Sequence, residues 1–150
     1  MRIILQPCIH GTMTGKDRIE CYTDGASRRN PGPSAYAVIL VQGNAVICEE
    51  TGCIGEGTNN SAEYEAMIHG LRRAATFTQG EVCCYSDSEL VIRQLTGRYA
   101  IRKAHLQDLA AQVRALCTRF ERVGFNAVPR EHPCIRRADQ LCNQTLDAYR

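Results

Sequence analysis

The chain has no apolar run near the roughly 18 residues a membrane-crossing helix needs. It also has no internal repeat, no low-complexity stretch and no obvious linker. Its 150 residues therefore read as one domain, long enough to bury a real core. Ile3-Ile4-Leu5 is too short for the apolar segment of a secretory leader, and no cleavage pattern follows it. A cytoplasmic protein with no membrane partner is expected. Charge of one sign is scarce too, with a formal net charge of only +2, a balance that does not by itself announce a polyanionic ligand. Basic clusters do occur at Arg28-Arg29, Arg72-Arg73, Arg98 to Lys103 and Arg136-Arg137, although such clusters are more often solvated faces than binding sites. The nine cysteines include no CxxC pair and no zinc-finger spacing. Cys8-Ile-His10 offers two ligands where a structural zinc wants four. Cys21, Cys83 and Cys84 lie in apolar, strand-like runs, where a thiol acts as a small buried hydrophobe. A cytosolic compartment disfavours disulfides. A cysteine-based metal or redox protein lacks the spacings it would need.

Residues 1–17 show little beyond a short apolar start and are expected to form an N-terminal extension or an extra edge element. Arg18 to Thr23 alternates and then meets Asp24-Gly25, which reads as a strand ending at a turn. Asn30-Pro31-Gly32-Pro33 is a loop. Ala35 to Val41 has strand length, and Gln42-Gly43-Asn44 turns it into a return strand from Ala45 to Cys53. The period then changes. Asn60-x-x-Glu63 resembles a helix start, and Met67, Gly70 and Ala74 continue one helical face toward a stop at Gln79-Gly80. Val82 to Ser86 reads as a buried strand, Ser88 to Leu95 as a short helix stopped by Gly97, and Lys103 to Cys117 as a longer one. Arg119 to Val128 is the last strand, Pro129 to Pro133 a loop, and a helix follows from about Ile135. The order βββ-α-β-α-α-β-α predicts an α/β fold, a mixed sheet with helices packed on it.

Four acids sit at telling places: Asp24 after the first of these strands, Glu63 early in the first long helix, Asp87 after the fourth strand, and Asp139 near the start of the last helix. If the first and fourth strands are parallel neighbours, Asp24 and Asp87 emerge side by side. Clustered carboxylates repel unless protonated or sharing cations, and hard divalent ions prefer such oxygen ligands. Each acid also has a purely local reading. Asp24 suits a turn before Gly25, Asp87 a helix cap, Glu63 a capping box with Asn60, and Asp139 a helix N-terminus.

The surrounding residues carry a resemblance. Tyr22-Thr23-Asp24-Gly25 with Asn30-Pro31-Gly32-Pro33, then Thr58-Asn59-Asn60-Ser61-Ala62-Glu63, Tyr85-Ser86-Asp87-Ser88 and Arg137-Ala138-Asp139-Gln140-Leu141-Cys142-Asn143 resemble, in order, the four motifs of type 1 ribonucleases H. The resemblance runs from about residue 18 to the end. It implies a ribonuclease H-like fold with a mixed five-stranded sheet, three antiparallel strands and then parallel ones, flanked by helices, with residues 18–150 as the catalytic domain. It also implies an endoribonuclease that hydrolyses the RNA strand of RNA–DNA hybrids and leaves 5′-phosphate and 3′-hydroxyl ends. Asp24, Glu63, Asp87 and Asp139 would hold two Mg²⁺ or Mn²⁺ ions, one activating water and the other stabilising the leaving oxygen. Asn30, Asn59 and Asn60 match positions that read the minor groove, where 2′-hydroxyls mark RNA, and Asn offers both donors and an acceptor for that task. Thr58 matches a DNA-phosphate contact, and Ser88 lies beside the third motif as a further substrate contact.

Two features depart from parts of the family. The basic handle that some relatives insert after the third motif's helix is absent, with Arg98, Arg102 and Lys103 as partial substitutes. His132, in the variable loop Arg130-Glu131-His132-Pro133-Cys134, is a candidate for the assisting histidine that some members carry on a mobile loop. A protein of this kind is expected to act as a monomer without an obligate protein partner. A non-catalytic hybrid-binding module on the same fold is the alternative, and the intact set of four acids argues against it. A detached retroelement domain is a further reading, with no polymerase segment to support it.

Overall fold

The computed structural model describes residues 3–4 and 18–149. In chain order the elements are β1 (Ile3–Ile4), β2 (Arg18–Ser27), β3 (Gly32–Gln42), β4 (Ala45–Gly57), α1 (Asn59–Ala74), β5 (Glu81–Ser86), α2 (Glu89–Leu95), α3 (Ala104–Cys117), β6 (Arg122–Ala127) and α4 (Pro133–Ala148). The strands form one sheet in the order β1-β6-β5-β2-β3-β4. β2, β3 and β4 pair antiparallel, and β5 and β6 extend the sheet in parallel from β2. The five expected strands are all present in the expected sense. A sixth, β1, lengthens the sheet by pairing in parallel with Val123 and Gly124 of β6. Cys8 and His10 lie outside the described residues.

Helices cover both faces, so the central strands are apolar on both sides. Successive side chains along a strand point to opposite faces, and this splits the interior into two cores. On one face Ile19, Cys21, Val38, Val82 and Cys84 pack against α1, α2 and α3. On the other, Tyr22, Ile39, Cys83 and Tyr85 pack against Ile135, Ala138, Leu141 and Cys142 of α4. Full burial of an aliphatic side chain such as Ile19 or Val82 contributes about 1.5–3 kcal/mol. Cys21 and Cys84 are buried free thiols, as expected of cysteines in apolar strands. Cys83 is disulfide-bonded, a pairing that a cytosolic compartment disfavours and that the cysteine spacings leave open. No helix among the described residues is long and apolar enough to cross a membrane.

Several boundaries differ from the sequence expectations for physical reasons. β2 does not stop at Thr23. It continues through Asp24 and Gly25, paired with Ala37 and Tyr36 of β3, to Ser27. Gly25 serves a close approach rather than a turn, since a Cβ there would lie 2.2 Å from the carbonyl carbon of Ala62 on α1. β4 runs to Gly57 instead of Cys53, across a register shift at Ser34/Ala35, beside which Gly55 takes a positive φ of 92°. β6 begins at Arg122, because Thr118, Arg119 and Phe120 donate back to the last turn of α3. α1 ends at Ala74, with Arg72 and Arg73 in its last turn, where cations complement the helix dipole. α4 starts at Pro133, whose fixed φ and missing N–H suit the first helical position.

Candidate active site

The parallel register of β2 and β5 ends at Tyr22↔Tyr85, and Asp24 and Asp87 each stand two residues beyond that pair. The two carboxylates thus leave the sheet side by side. The third comes from α1. With no side chain at Gly25, the helix backbone settles onto β2, and the Gly25 N–H donates to Glu63 Oε1 at 2.8 Å. Carboxylate oxygens of Asp24, Glu63 and Asp87 all lie within 4.8 Å of one another. Asp139 stands apart from this triad, exposed on α4, with Asn143 Nδ2 donating to its Oδ2 at 3.4 Å.

The local readings of the four acids fall away. Asp24 is inside a strand. Ser88, not Asp87, caps α2 by accepting from the Val91 N–H. Thr58, not Asn60, caps α1, and its capping box closes with Ser61 rather than Glu63. Asp139 lies beyond the first turn of α4. None of the four is spent on shaping its own element.

Their electrostatics express crowding. Asp24 is 7% exposed, and burial, then the charges of Asp87 and Asp139, push its carboxyl up to about 7. Burial, then Asp24 and Asp87, raise Glu63 well above the usual carboxylate range, even though the Gly25 N–H favours its ionised form. Such a cluster is short of positive charge. Hard oxygen donors this close together suit a divalent cation, so the residues fit the metal site that the fold family implies.

Residues 22–145 match the protein family described as reverse transcriptase-like. The chain is 42% identical over 131 residues to Ribonuclease HI of Halobacterium salinarum, a match covering 87% of this chain and 65% of that protein. It is 37% identical over 127 residues to the Bifunctional protein Rv2228c of Mycobacterium tuberculosis, covering 83% of this chain and 34% of that one. The crystal structure of RNase H1 from Halobacterium salinarum superposes with a TM-score of 0.82 at 40% identity, over 87% of this chain and 98% of the other. The crystal structure of LC11-RNase H1 in complex with RNA/DNA hybrid superposes with a TM-score of 0.80 at 36% identity, over 86% and 96% of the two chains. The chain belongs to the type 1 ribonuclease H family. It spans just under two thirds of the Halobacterium sequence and about one third of Rv2228c.

In this type 1 ribonuclease H the asparagines expected to meet substrate also hold the loop beside the site. The Asn59 N–H donates to Asn30 Oδ1 at 2.9 Å, and the Ser27 N–H donates to Asn59 Oδ1 at 2.8 Å. Asn30 and Asn59 are exposed, and these internal bonds use their side-chain oxygens, not their amide nitrogens. Asn60 is half-buried in the first turn of α1. The hydroxyls of Thr58 and Ser88 accept from the Ser61 and Val91 N–H groups as helix caps.

His132 ends the loop before α4 and is half-buried rather than exposed. It is the N-cap of α4, its Nδ1 accepting from the Cys134 N–H at 3.1 Å, and its ring stacks on Tyr22 at 4.7 Å. Tyr22 in turn stacks on Tyr85 at 4.8 Å, so the histidine is clamped two residues along the strand from Asp24. Of the basic clusters, Arg28, Arg73 and Arg137 are committed to ion pairs with Asp147, Glu50 and Glu49. Arg98, Arg102 and Lys103 are exposed between α2 and α3. Two residues at the site escape sequence reasoning. Gly25 looks like part of a turn until α1 is placed on it. Arg130, whose Nε lies 3.5 Å from Asp87 Oδ2, looks like any loop arginine until β5 and β6 are paired.

Proposed function

We propose that the chain is a metal-dependent endonuclease that hydrolyses the RNA strand of RNA–DNA hybrids, leaving 5′-phosphate and 3′-hydroxyl ends. The observation that carries this reading is the convergence of Asp24, Glu63 and Asp87 from three elements to within 4.8 Å, with none of them spent on capping or turning its own element. Its likeness to LC11-RNase H1, which is bound to an RNA/DNA hybrid, supports the choice of substrate. Asp24, Glu63, Asp87 and, from the other helix layer, Asp139 would hold two Mg²⁺ or Mn²⁺ ions. Bound there, divalent ions supply an activated water and neutralise charge on the leaving 3′-oxygen.

The chain's own residues do the rest. With Asp24 buried and Glu63 half-buried, bulk water is held back and the attraction between these carboxylates and a bound cation is strengthened. Asn30, Asn59 and Asn60 present amide groups to the wide minor groove, where 2′-hydroxyls distinguish RNA from DNA. Thr58 meets a phosphate of the DNA strand beside the α1 N-terminus, which favours anions, and Ser88 a backbone oxygen near Asp87. His132, oriented through Nδ1 and Tyr22, exchanges a proton through Nε2. Residues 18–150 act as the catalytic domain, in a monomer.

Labelled hybrid incubated with Mg²⁺, Mn²⁺ or EDTA tests the reading. Cleavage is expected with either metal and none with EDTA, while RNA duplex, DNA duplex and single-stranded RNA stay largely intact. Asp87→Asn should lose at least about tenfold in rate, a barrier change of ~1.4 kcal/mol or more. Hybrid binding without cleavage in either metal would make the protein a binding module instead.

A further inference from the structure

Arg130 sits at the tip of a short span whose two ends are both fixed. On the β6 side the Val128 N–H donates to the Ser86 carbonyl at 2.9 Å, and on the α4 side the His132 N–H donates to the Pro129 carbonyl at 3.1 Å. The stack of His132 on Tyr22 anchors the same end. The backbone is therefore held, while the arginine side chain is 85% exposed and can swing. The guanidinium reaches Asp87 at a long ion-pair distance, Nε to Oδ2 at 3.5 Å. Arg130 is also the residue shared by the two clefts that flank the carboxylates. One is lined by Asp87, Glu89 and Pro129, the other by Asp139, Arg136 and Gln140. Its charge opposes the upward shifts of both Asp24 and Glu63. Among the described residues no other Lys, Arg or His forms an ion pair with Asp24, Glu63, Asp87 or Asp139.

We propose that Arg130 is a displaceable counter-ion of the carboxylate centre, pairing with Asp87 in the absence of divalent ions and giving up that contact as they bind. The proposal rests on the reading of the four acids as a metal site. Its logic is electrostatic. Carboxylates gathered from β2, α1 and the turn after β5 repel one another whenever the site is without metal, and a cation nearby lowers that repulsion. A cation buried among them would exclude metal permanently. A guanidinium on an exposed side chain, 3.5 Å from its carboxylate, makes a weak contact that a doubly charged ion can replace. The fixed backbone returns it to the same place when the ions leave.

The test is Mn²⁺ titration by isothermal calorimetry, without nucleic acid, on the wild-type protein, R130Q and R130K. The position is solvent-exposed, so all three should fold. R130Q should bind Mn²⁺ about three- to tenfold more tightly at low salt, because the ion no longer has to displace a positive charge held beside Asp87. R130K, which keeps the charge, should stay within about twofold of wild type. The gap between wild type and R130Q should narrow at high salt, as expected for an exposed charge. Equal or weaker Mn²⁺ binding by R130Q overturns the counter-ion and leaves the metal site standing, as does an R130K that behaves like R130Q. Absence of Mn²⁺ binding by all three proteins overturns the metal-site reading, and the counter-ion falls with it.

Discussion

Replacing Asp24 with Asn should make the metal-free protein more stable at alkaline pH, although it removes a proposed metal ligand. Asp24 is 7% exposed, and burial first, then Asp87 and Asp139, lift its pKa from 3.8 to about 7. A carboxyl with a raised pKa holds its proton more tightly in the folded protein than in the unfolded chain. The stability linked to that proton is complete below the unfolded value near 3.8 and is lost as the pH rises through about 7. A difference of about three pH units, at about 1.4 kcal/mol each, sets an upper bound of about 4 kcal/mol. The neighbouring acids titrate with Asp24 and share that sum, and the asparagine amide must still find partners, so about 2 kcal/mol is expected from the single substitution. For a domain of this size each kcal/mol moves the melting point by roughly 2–4 °C. At about pH 8 in EDTA, Asp24→Asn should therefore melt about 4–8 °C above wild type. The gap should close as the pH falls below about 3, where wild-type Asp24 is protonated in both states. Calorimetric or circular-dichroism melts across this range measure it. Added Mn²⁺ should raise wild type far more than the variant and narrow or invert the order. A variant that melts at or below wild type at about pH 8 in EDTA would refute the claim that crowding and burial dominate this site.

Gly25→Ala should destabilise the fold by about 1–3 kcal/mol or more, since the added methyl meets the α1 backbone at 2.2 Å. Urea unfolding reads that loss, and hybrid cleavage should fall as Glu63 is pushed away from Asp24; a variant with wild-type stability and rate would show that the close approach is dispensable. His132→Ala should cost about 1 kcal/mol as a lost helix cap and lower kcat by about tenfold to a thousandfold with KM little changed. His132→Asn, which can still cap, should recover the stability but not the turnover across about pH 6 to 9; recovery of both would reduce His132 to a cap. Replacing Arg98, Arg102 and Lys103 together with Ala should raise KM and make hybrid binding less salt-dependent, by a slope of up to about 0.9 for each phosphate left without its cation. An unchanged slope would make these charges a solvated face.

The sequence disclosed the element order and the positions of the four acids well, because both depend on local pattern. Turn residues separate the strands, helical spacing sets off Met67, Gly70 and Ala74, and each acid sits in a distinctive short motif. What it hid was decided by contacts between distant residues. Asp24-Gly25 reads locally as a strand-ending turn, and only the α1 backbone lying on Gly25 shows why a glycine belongs inside β2. Thr58 and Asn60 both suit a helix cap by type, and the choice falls to the one whose neighbour Ser61 can reciprocate. The place of His132 is hidden because the ring it stacks on, Tyr22, lies at the other end of the chain, even though the N–H it caps is only two residues away. Arg130 meets Asp87 only after β5 and β6 are laid side by side. The pairing of Ile3 and Ile4 with β6 carries no local signal, since two apolar residues fit almost any element.

The division of the interior by the sheet bears on how activity would fail. Asp24, Asp87 and Glu63 belong to the sheet and to the helix layer of the larger core, whereas Asp139 rides on α4, held by the smaller core and by surface pairs such as Arg137 with Glu49. Local opening can release one layer while the rest stays folded. Undocking of α4 would take away the fourth carboxylate, and with it the cap at His132, yet leave the other three in place. Heat inactivation would then precede global melting: a protein could keep most of its secondary structure and a partial hold on metal at a temperature where it had already stopped cutting.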